Sequence, residues 1–276
     1  MNKSIEREIM KIYYAVFNKV YTKARLAALS KGGHLGIVET ATMLESSKAY
    51  NEFAKKFAKE LAKKGLSTKR AVWRKYYNAA KRLHYVAIPP TFAEYEFSVM
   101  SKAIENNFKM IKSIPSEVLK IMRHDYTSKL IEQVAKGSMT RGAFERELKM
   151  HGAKNARLIA RTETAKLQTV IVENRATEIG SVAYIWRASN DKRTRPSHKA
   201  MDDVIVFWRE QSEKPLLDGM RGNAGEFPNC RCTPQPIFDQ DDLKKSTYKV
   251  YNYKTDKVES MRKNVLVERL KKGSLD

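Results

Sequence analysis

The chain has 276 residues and a formal net charge of +22, a length that suits two modest cores and a charge that gathers polyanions, nucleic acid first among them. Two cysteines are too few for a secreted disulfide scaffold. No run approaches the roughly 18 apolar residues of a membrane span, and the charged N-terminus lacks the apolar stretch of a signal peptide. A protein made in a reducing cytoplasm, not exported and without a membrane partner, is expected.

The first half reads as helices. Ile5, Ile9, Ile12, Tyr13, Val16, Phe17, Val20, Tyr21 and Ala24 form a helical stripe that Lys31-Gly32-Gly33 ends. A second stripe, Tyr50, Phe53, Ala54, Phe57, Ala58 and Leu61, is closed by Gly65 as a C-cap. A third carries Val72, Trp73, Tyr76, Tyr77, Ala80 and Leu83. Between Lys48 and Arg82 there are twelve basic residues against Glu52 and Glu60, so this pair of helices is expected to be strongly cationic outside. Its candidate phosphate-binding residues are Lys55, Lys56, Lys59, Lys63, Lys64, Lys69, Arg70, Arg74, Lys75, Lys81 and Arg82, and its aromatics are read as core.

Pro89-Pro90 interrupts the pattern. Thr91-x-x-Glu94 is a capping box that opens a helix toward Ile111, Pro115-Ser116-Glu117 opens another that ends near Gly137, and Thr140 caps a short one through Leu148. His34, His84, His124 and His151 have no partners at metal-ligand spacing.

The grammar then changes. A long helix from about Ala153 to Ile179 carries Arg161 and Glu163, the alternation of Val182, Tyr184 and Trp186 predicts a half-buried strand, and Val204–Phe207 predicts a second. Pro228 and Pro234 bound a third expected strand at Cys230–Cys232. The class is α+β: a mostly helical N-terminal region, then a small domain with one long helix packed on a short antiparallel sheet. Beyond Phe238 a polar tail is expected, with an edge strand at Tyr248–Tyr253 and a weak helical pattern over Val258–Leu270.

Three constellations could carry chemistry. His198, Cys230 and Cys232 are candidate ligands of a structural zinc, with Asp191 or Asp202 as a fourth; a metal-free hydrogen-bonded cluster is the alternative. Arg161, Glu163, Asp191, Arg193, Arg195 and Arg231 form a candidate polar network, with Arg161 paired to Asp191 and Glu163 to Arg195 or Arg231; the same arginines could instead bind phosphate. His198 beside Arg195 and Lys199 could serve hydrolysis, but the rest of a catalytic set is missing. The chain has no G-x-S-x-G, Walker A, H-E-x-x-H or dinucleotide glycine motif, so no catalytic residue is assigned and no enzyme is expected.

Ala160-Arg161-Thr162-Glu163, Trp186, Asp191-Lys192-Arg193-Thr194-Arg195-Pro196-Ser197-His198 and Asn229-Cys230-Arg231-Cys232 follow one another in that order. This succession resembles the phage Mu F-like family of head morphogenesis proteins, over about residues 140–238. Where that family commonly has Asp-Gly after the histidine-containing turn, this chain has Asp202-Asp203. The resemblance implies a minor head protein of a tailed phage, inside the capsid near the portal and in the host cytoplasm before assembly. The implied partners are the portal protein, double-stranded DNA without sequence preference, and a scaffold or major capsid protein. The expected organisation is 1–139 as a helical, basic region for portal and DNA, 140–238 as the α+β domain and 239–276 as the tail. The other readings are a nuclease or toxin-like enzyme and a non-capsid DNA-binding protein.

Overall fold

A computed structural model of the chain describes residues 3–30, 42–82, 88–123, 141–239 and 242–273. His34, His84, His124, the Lys31–Gly33 stop and the Gly137–Thr140 turn lie outside the described residues, as do the side chains of residues 17–30 and of His151. Contacts divide the chain into two compact units, Asn2–Leu61 with Ile104–Thr164, and Ala62–Ala103 with Ala165–Asp276. This partition differs in kind from the contiguous ranges 1–139, 140–238 and 239–276, because three helices carry residues of both units. The helices are α1 Lys3–Ser30, α2 Lys48–Ser67, α3 Arg70–Arg82, α4 Phe92–Arg123 and α5 Arg141–Thr177.

In the first unit Ile5, Ile9, Ile12, Tyr13 and Val16 of α1 are buried, as are Tyr50, Ala54, Ala58 and Leu61 of α2. Phe53 of α2 and Val72 and Tyr76 of α3, expected on the apolar stripes, are exposed. Buried Asn107 of α4 donates to the Ala58 carbonyl at 3.1 Å. Pro115 does not start a new helix as expected; it lies inside α4. A proline there cannot donate to the carbonyl four residues back, which is that of Ile111. The Tyr50 hydroxyl takes the vacant place and donates to the Ile111 oxygen at 2.6 Å. Likewise, the helices expected over Thr140–Leu148 and Ala153–Ile179 are one continuous α5.

In the second unit Trp73, Tyr77 and Ala80 of α3 are buried, and Thr91 and Glu94 form the expected reciprocal cap, Thr91 N to Glu94 Oε2 at 2.9 Å and Glu94 N to Thr91 Oγ1 at 3.2 Å. Gly65 is not a C-cap, since α2 runs on to Ser67. It is a place of close approach: a Cβ there would stand 2.4 Å from Ile171 Cδ1 of α5. One turn on, buried Arg175 donates to the Thr68 carbonyl at 3.0 Å and to that of Leu66 at 2.5 Å, satisfying carbonyls that the end of α2 leaves without partners.

The strands are β1 Ala183–Arg187, β2 Val204–Phe207, β3 Leu216–Leu217, β4 Met220–Arg221, β5 Thr233–Ile237, β6 Thr247–Asn252 and β7 Lys257–Arg262. Five form one sheet in the order β5-β1-β2-β6-β7, while β3 and β4 form a separate hairpin. The α+β class holds, with one parallel pairing, β2 to β6. Two expectations shift. The strand predicted at Cys230–Cys232 begins at Thr233, with Pro234 opposite Trp186 and Pro236 opposite Tyr184; β5 is an edge, where prolines cost no ladder bond. The strand expected as an edge at Tyr248–Tyr253 is β6, which lies inside the sheet; β7 follows it, and α7, Lys263–Lys272, packs Leu266 into the sheet's core.

Both faces of the sheet are buried at its centre, over β1 and β2, so β2 reads as a continuous apolar run. Ala183, Ile185, Ile205 and Phe207 point to the side of α7, and Tyr184, Trp186, Val204 and Val206 to the side that holds both cysteines.

Candidate metal centre

The loop after β1 is tied to itself. Asp191 accepts the Arg193 backbone N–H at 2.9 Å, its own N–H donates to Thr194 Oγ1 at 3.1 Å, and the Thr194 N–H returns to the Asp191 carbonyl. This turn delivers Pro196 to the first turn of a short helix, α6, Pro196–Ala200, on which His198 is buried. Asp202 then accepts the Ala188 N–H at 2.9 Å and the Asn190 amide at 2.6 Å, closing the loop. Asp203 has φ 64°, the left-handed conformation that glycine adopts without strain. Here the aspartate gains ion pairs with Arg187, at 2.7 Å, and Lys245.

The second arm reaches the same place from Asn229, also left-handed at φ 58°. The stretch from Trp208 to Cys232 is pinned by its own polar groups. Lys214 pairs with Glu226 at 3.1 Å, Tyr184 donates to Asn223 Oδ1 at 3.1 Å, and Thr169 of α5 donates to the Ala224 carbonyl at 2.7 Å. Gly225, at φ 97°, admits no side chain: a Cβ would lie 2.5 Å from Thr169 Oγ1. Glu173 of α5 faces this network through the Asn223 amide, and burial pushes its carboxyl above the usual range.

The two arms bring His198, Cys230 and Cys232 together. All three are buried, at 3, 7 and 4% exposure, and their ligand atoms lie within 4.8 Å of one another. His198 Nδ1 is 3.4 Å from Cys230 Sγ and 3.6 Å from Cys232 Sγ. Tetrahedral zinc, with Zn–S near 2.3 Å and Zn–N near 2.0–2.1 Å, sets such nitrogen–sulfur separations at about 3.6 Å. Both nitrogen–sulfur separations are already close to those of a thiolate–imidazole metal site. The cysteines are free of any disulfide, and each acts on the other: the Cys232 thiol and the His198 ring draw Cys230 down to about 4, while the neighbouring Cys230 sulfur and burial push Cys232 up. The ring of His198 is held edge-on by Phe227 at 4.9 Å and by Trp186 at 5.8 Å.

Neither carboxylate expected as a fourth ligand joins the cluster. Asp191 has both oxygens in the fork of Arg231, one of them at 2.6 Å from Nη2, and Asp202 is spent on the loop closure. For the same reason Arg161 does not pair with Asp191; its partner is Glu6 at 3.2 Å, within the helical unit. Arg195 donates to the Pro228 carbonyl at 2.9 Å, Arg193 is exposed, and Glu163 is half-buried on α5. The bidentate bridge from Asp191 to Arg231 and the hydrogen bond from Arg195 to Pro228 both tie the His198 arm to the cysteine arm. The sequence reading missed Asp218, whose Oδ2 stands 3.9 Å from His198 Nε2; the Asp218-Gly219 pair, a hairpin turn signal, was the available clue. All eleven candidate phosphate-binding residues are exposed, on α2, on α3 and at the Thr68–Lys69 turn between them.

Residues 125–235 match the family described as Phage Mu protein F like protein. An uncharacterized protein of Haemophilus influenzae is 30% identical over 138 residues, which are 49% of this chain and 29% of that protein. The chain thus spans under a third of the length of that relative. No solved structure matches. The family match takes in both arms of the metal centre, with His198, Cys230 and Cys232, so residues 125–235 are similar to the phage Mu protein F-like family.

Proposed function

We propose that this chain is a minor head protein of a tailed phage, docked on the portal inside the capsid and in contact with the packaged genome. The observation that carries this reading is the family match over residues 125–235. Contact with DNA is supported by the net charge of +22 and by the eleven exposed basic residues. Several of them are already engaged, among them Lys55 with Glu52 at 3.1 Å, Arg70 with Glu96 at 2.6 Å, Lys81 with the Pro90 carbonyl at 2.9 Å, and Arg74 over the Phe92 ring at 4.9 Å. Lys56, Lys59 and Lys63 recur along α2 at helical spacing and are the first choice for phosphate. Portal contact falls to α1 and to the Thr91–Ile111 stretch of α4, where Phe97 is 74% exposed and offers an apolar anchor. No described helix is long and apolar enough to cross a membrane.

In this reading the Mu F-like domain is a connector and not an enzyme, and His198, Cys230 and Cys232 hold a structural zinc. Two thiolates and an imidazole suit that ion. Bound there, it would join the two arms of the domain and couple metal affinity to folding.

Mass spectrometry of purified particles tests the assignment. The protein should be present at a fixed, low ratio to portal, and particles made without it should form shells while the genome-filled fraction falls. Absence of the protein from particles and from every assembly intermediate would refute the head-protein reading.

A further inference from the structure

Both sulfurs approach the Nδ1 side of His198, so a metal bound among the three residues takes the Nδ1 lone pair and leaves the ring proton on Nε2. That nitrogen is buried and makes no hydrogen bond among the described residues. A buried N–H without an acceptor is costly. On its side of the ring stands Asp218, Oδ2 3.9 Å away, outside hydrogen-bond range by roughly 1 Å.

We propose that Asp218 is the orienting carboxylate of this centre, accepting the His198 Nε2–H so that Nδ1 is presented to the metal; the proposal rests on the reading of His198, Cys230 and Cys232 as metal ligands. The position is built. Asp218 and Gly219 are left-handed, at φ 51° and 76°, the turn that a two-residue hairpin requires. They link β3 to β4 with Leu217 opposite Met220. The hairpin is anchored at its base, where Arg221 forks onto Asp256 at 2.9 and 2.8 Å and the Leu216 N–H donates to the Tyr251 hydroxyl at 3.0 Å. At its tip, Arg195 Nη1 lies 3.7 Å from the same Asp218 oxygen. Arg195 also holds the Pro228 carbonyl, so one guanidinium places both the carboxylate and the entry to the cysteine arm. Asp218 is 41% exposed, and its side chain has room to close the remaining distance.

Asp218 is not itself a metal ligand in this scheme, since the ring of His198 separates it from the sulfurs. It acts through the histidine. A carboxylate in that place fixes the tautomer and raises the basicity of the ligating nitrogen, and its loss typically weakens metal binding about 10–100-fold.

The test is chelator competition for Zn²⁺ on the full chain, wild type beside Asp218→Gly and Asp218→Asn. Glycine suits the left-handed backbone and removes the acceptor; asparagine keeps an acceptor oxygen. Asp218→Gly should bind zinc about 10–100-fold more weakly and Asp218→Asn within a few-fold of wild type, with the thiolate-to-Co²⁺ absorption of cobalt-loaded protein the same in all three. Equal zinc affinity in wild type and Asp218→Gly would overturn the role of Asp218 and leave the metal site standing. A changed cobalt spectrum would overturn it too, by making Asp218 a direct ligand. A wild-type chain that takes up neither ion overturns the metal reading and the role of Asp218 together.

Discussion

The bridge from Asp191 to Arg231 shows how one residue can be both exposed and structurally informative. Asp191 sits between two cationic or donor groups: the Arg231 fork takes both its oxygens and the Arg193 N–H takes one again. These bonds hold its carboxyl down at about 2, against an ordinary 3.8, with Arg231 the larger cause. A carboxylate whose folded pKa is depressed stabilises the fold above its unfolded pKa and loses that contribution as pH falls through the folded one. The bridge should therefore contribute fully at pH 5 and fade between about 4 and 2. Solvent screens so exposed a pair, and the effect will be modest. We predict that Asp191→Asn is less stable than wild type at pH 6 and that the two denaturation midpoints converge only as pH falls below about 2. A gap that stayed constant with pH would mean that the carboxylate charge plays no part and that only the shape of the turn matters.

At the scale of elements, the placement of Pro115 inside α4 is the clearest case of a local rule overridden from a distance. The Ile111 carbonyl, deprived of its helical donor, is buried, and the Tyr50 hydroxyl 61 residues away supplies the missing bond. Burial, with Glu45 adding to it, pushes the Tyr50 phenol well above its ordinary range, so it remains a neutral donor throughout the physiological range. Tyr50→Phe should cost about 1–3 kcal/mol, the usual loss when a buried acceptor is stranded. Adding Pro115→Ala restores a backbone N–H for that carbonyl and should recover part of the loss, a non-additivity that a double-mutant cycle in denaturant would measure. Strict additivity would show that the two groups do not serve the same oxygen. This is also why the sequence reading broke α4 in two: periodicity locates the apolar faces of α2 and α3 and the Thr91 cap, but no local signal announces that Tyr50 will complete a proline-interrupted helix. The same limit applies elsewhere. The ordered motifs put His198, Cys230 and Cys232 within reach of one another. The edge position of β5, which tolerates Pro234 and Pro236, the interior place of β6, and the approach of Asp218 to His198 all depend on pairings between distant segments.

At the scale of the whole molecule the dominant property is charge. A chain with a net charge of +22 need not bind DNA, because many surface lysines only keep a protein soluble. The two outcomes differ in their dependence on salt. Each phosphate neutralised by a lysine or arginine releases condensed counterions, so the logarithm of the binding constant falls with the logarithm of salt concentration by about 0.9 per contact on B-form duplex. If the proposed genome contact is real, the full chain should bind duplexes of unrelated sequence with equal affinity and a steep salt slope. Lys56, Lys59 and Lys63 are exposed on α2 and none is among the four basic residues with an ion pair, ring or carbonyl contact described above. Reversing these three to glutamate should flatten the slope by roughly one unit for each lysine that meets a phosphate. It should leave the stability of the fold nearly unchanged, since substitutions at exposed sites are usually worth no more than about 0.5 kcal/mol. Fluorescence anisotropy across a salt series, with wild type and the triple variant on two duplexes, measures all of this. Binding that ignores salt, or that prefers one duplex strongly, would mean that base edges or apolar contacts carry the interaction; a slope unchanged by the triple reversal would move the DNA-facing surface away from α2.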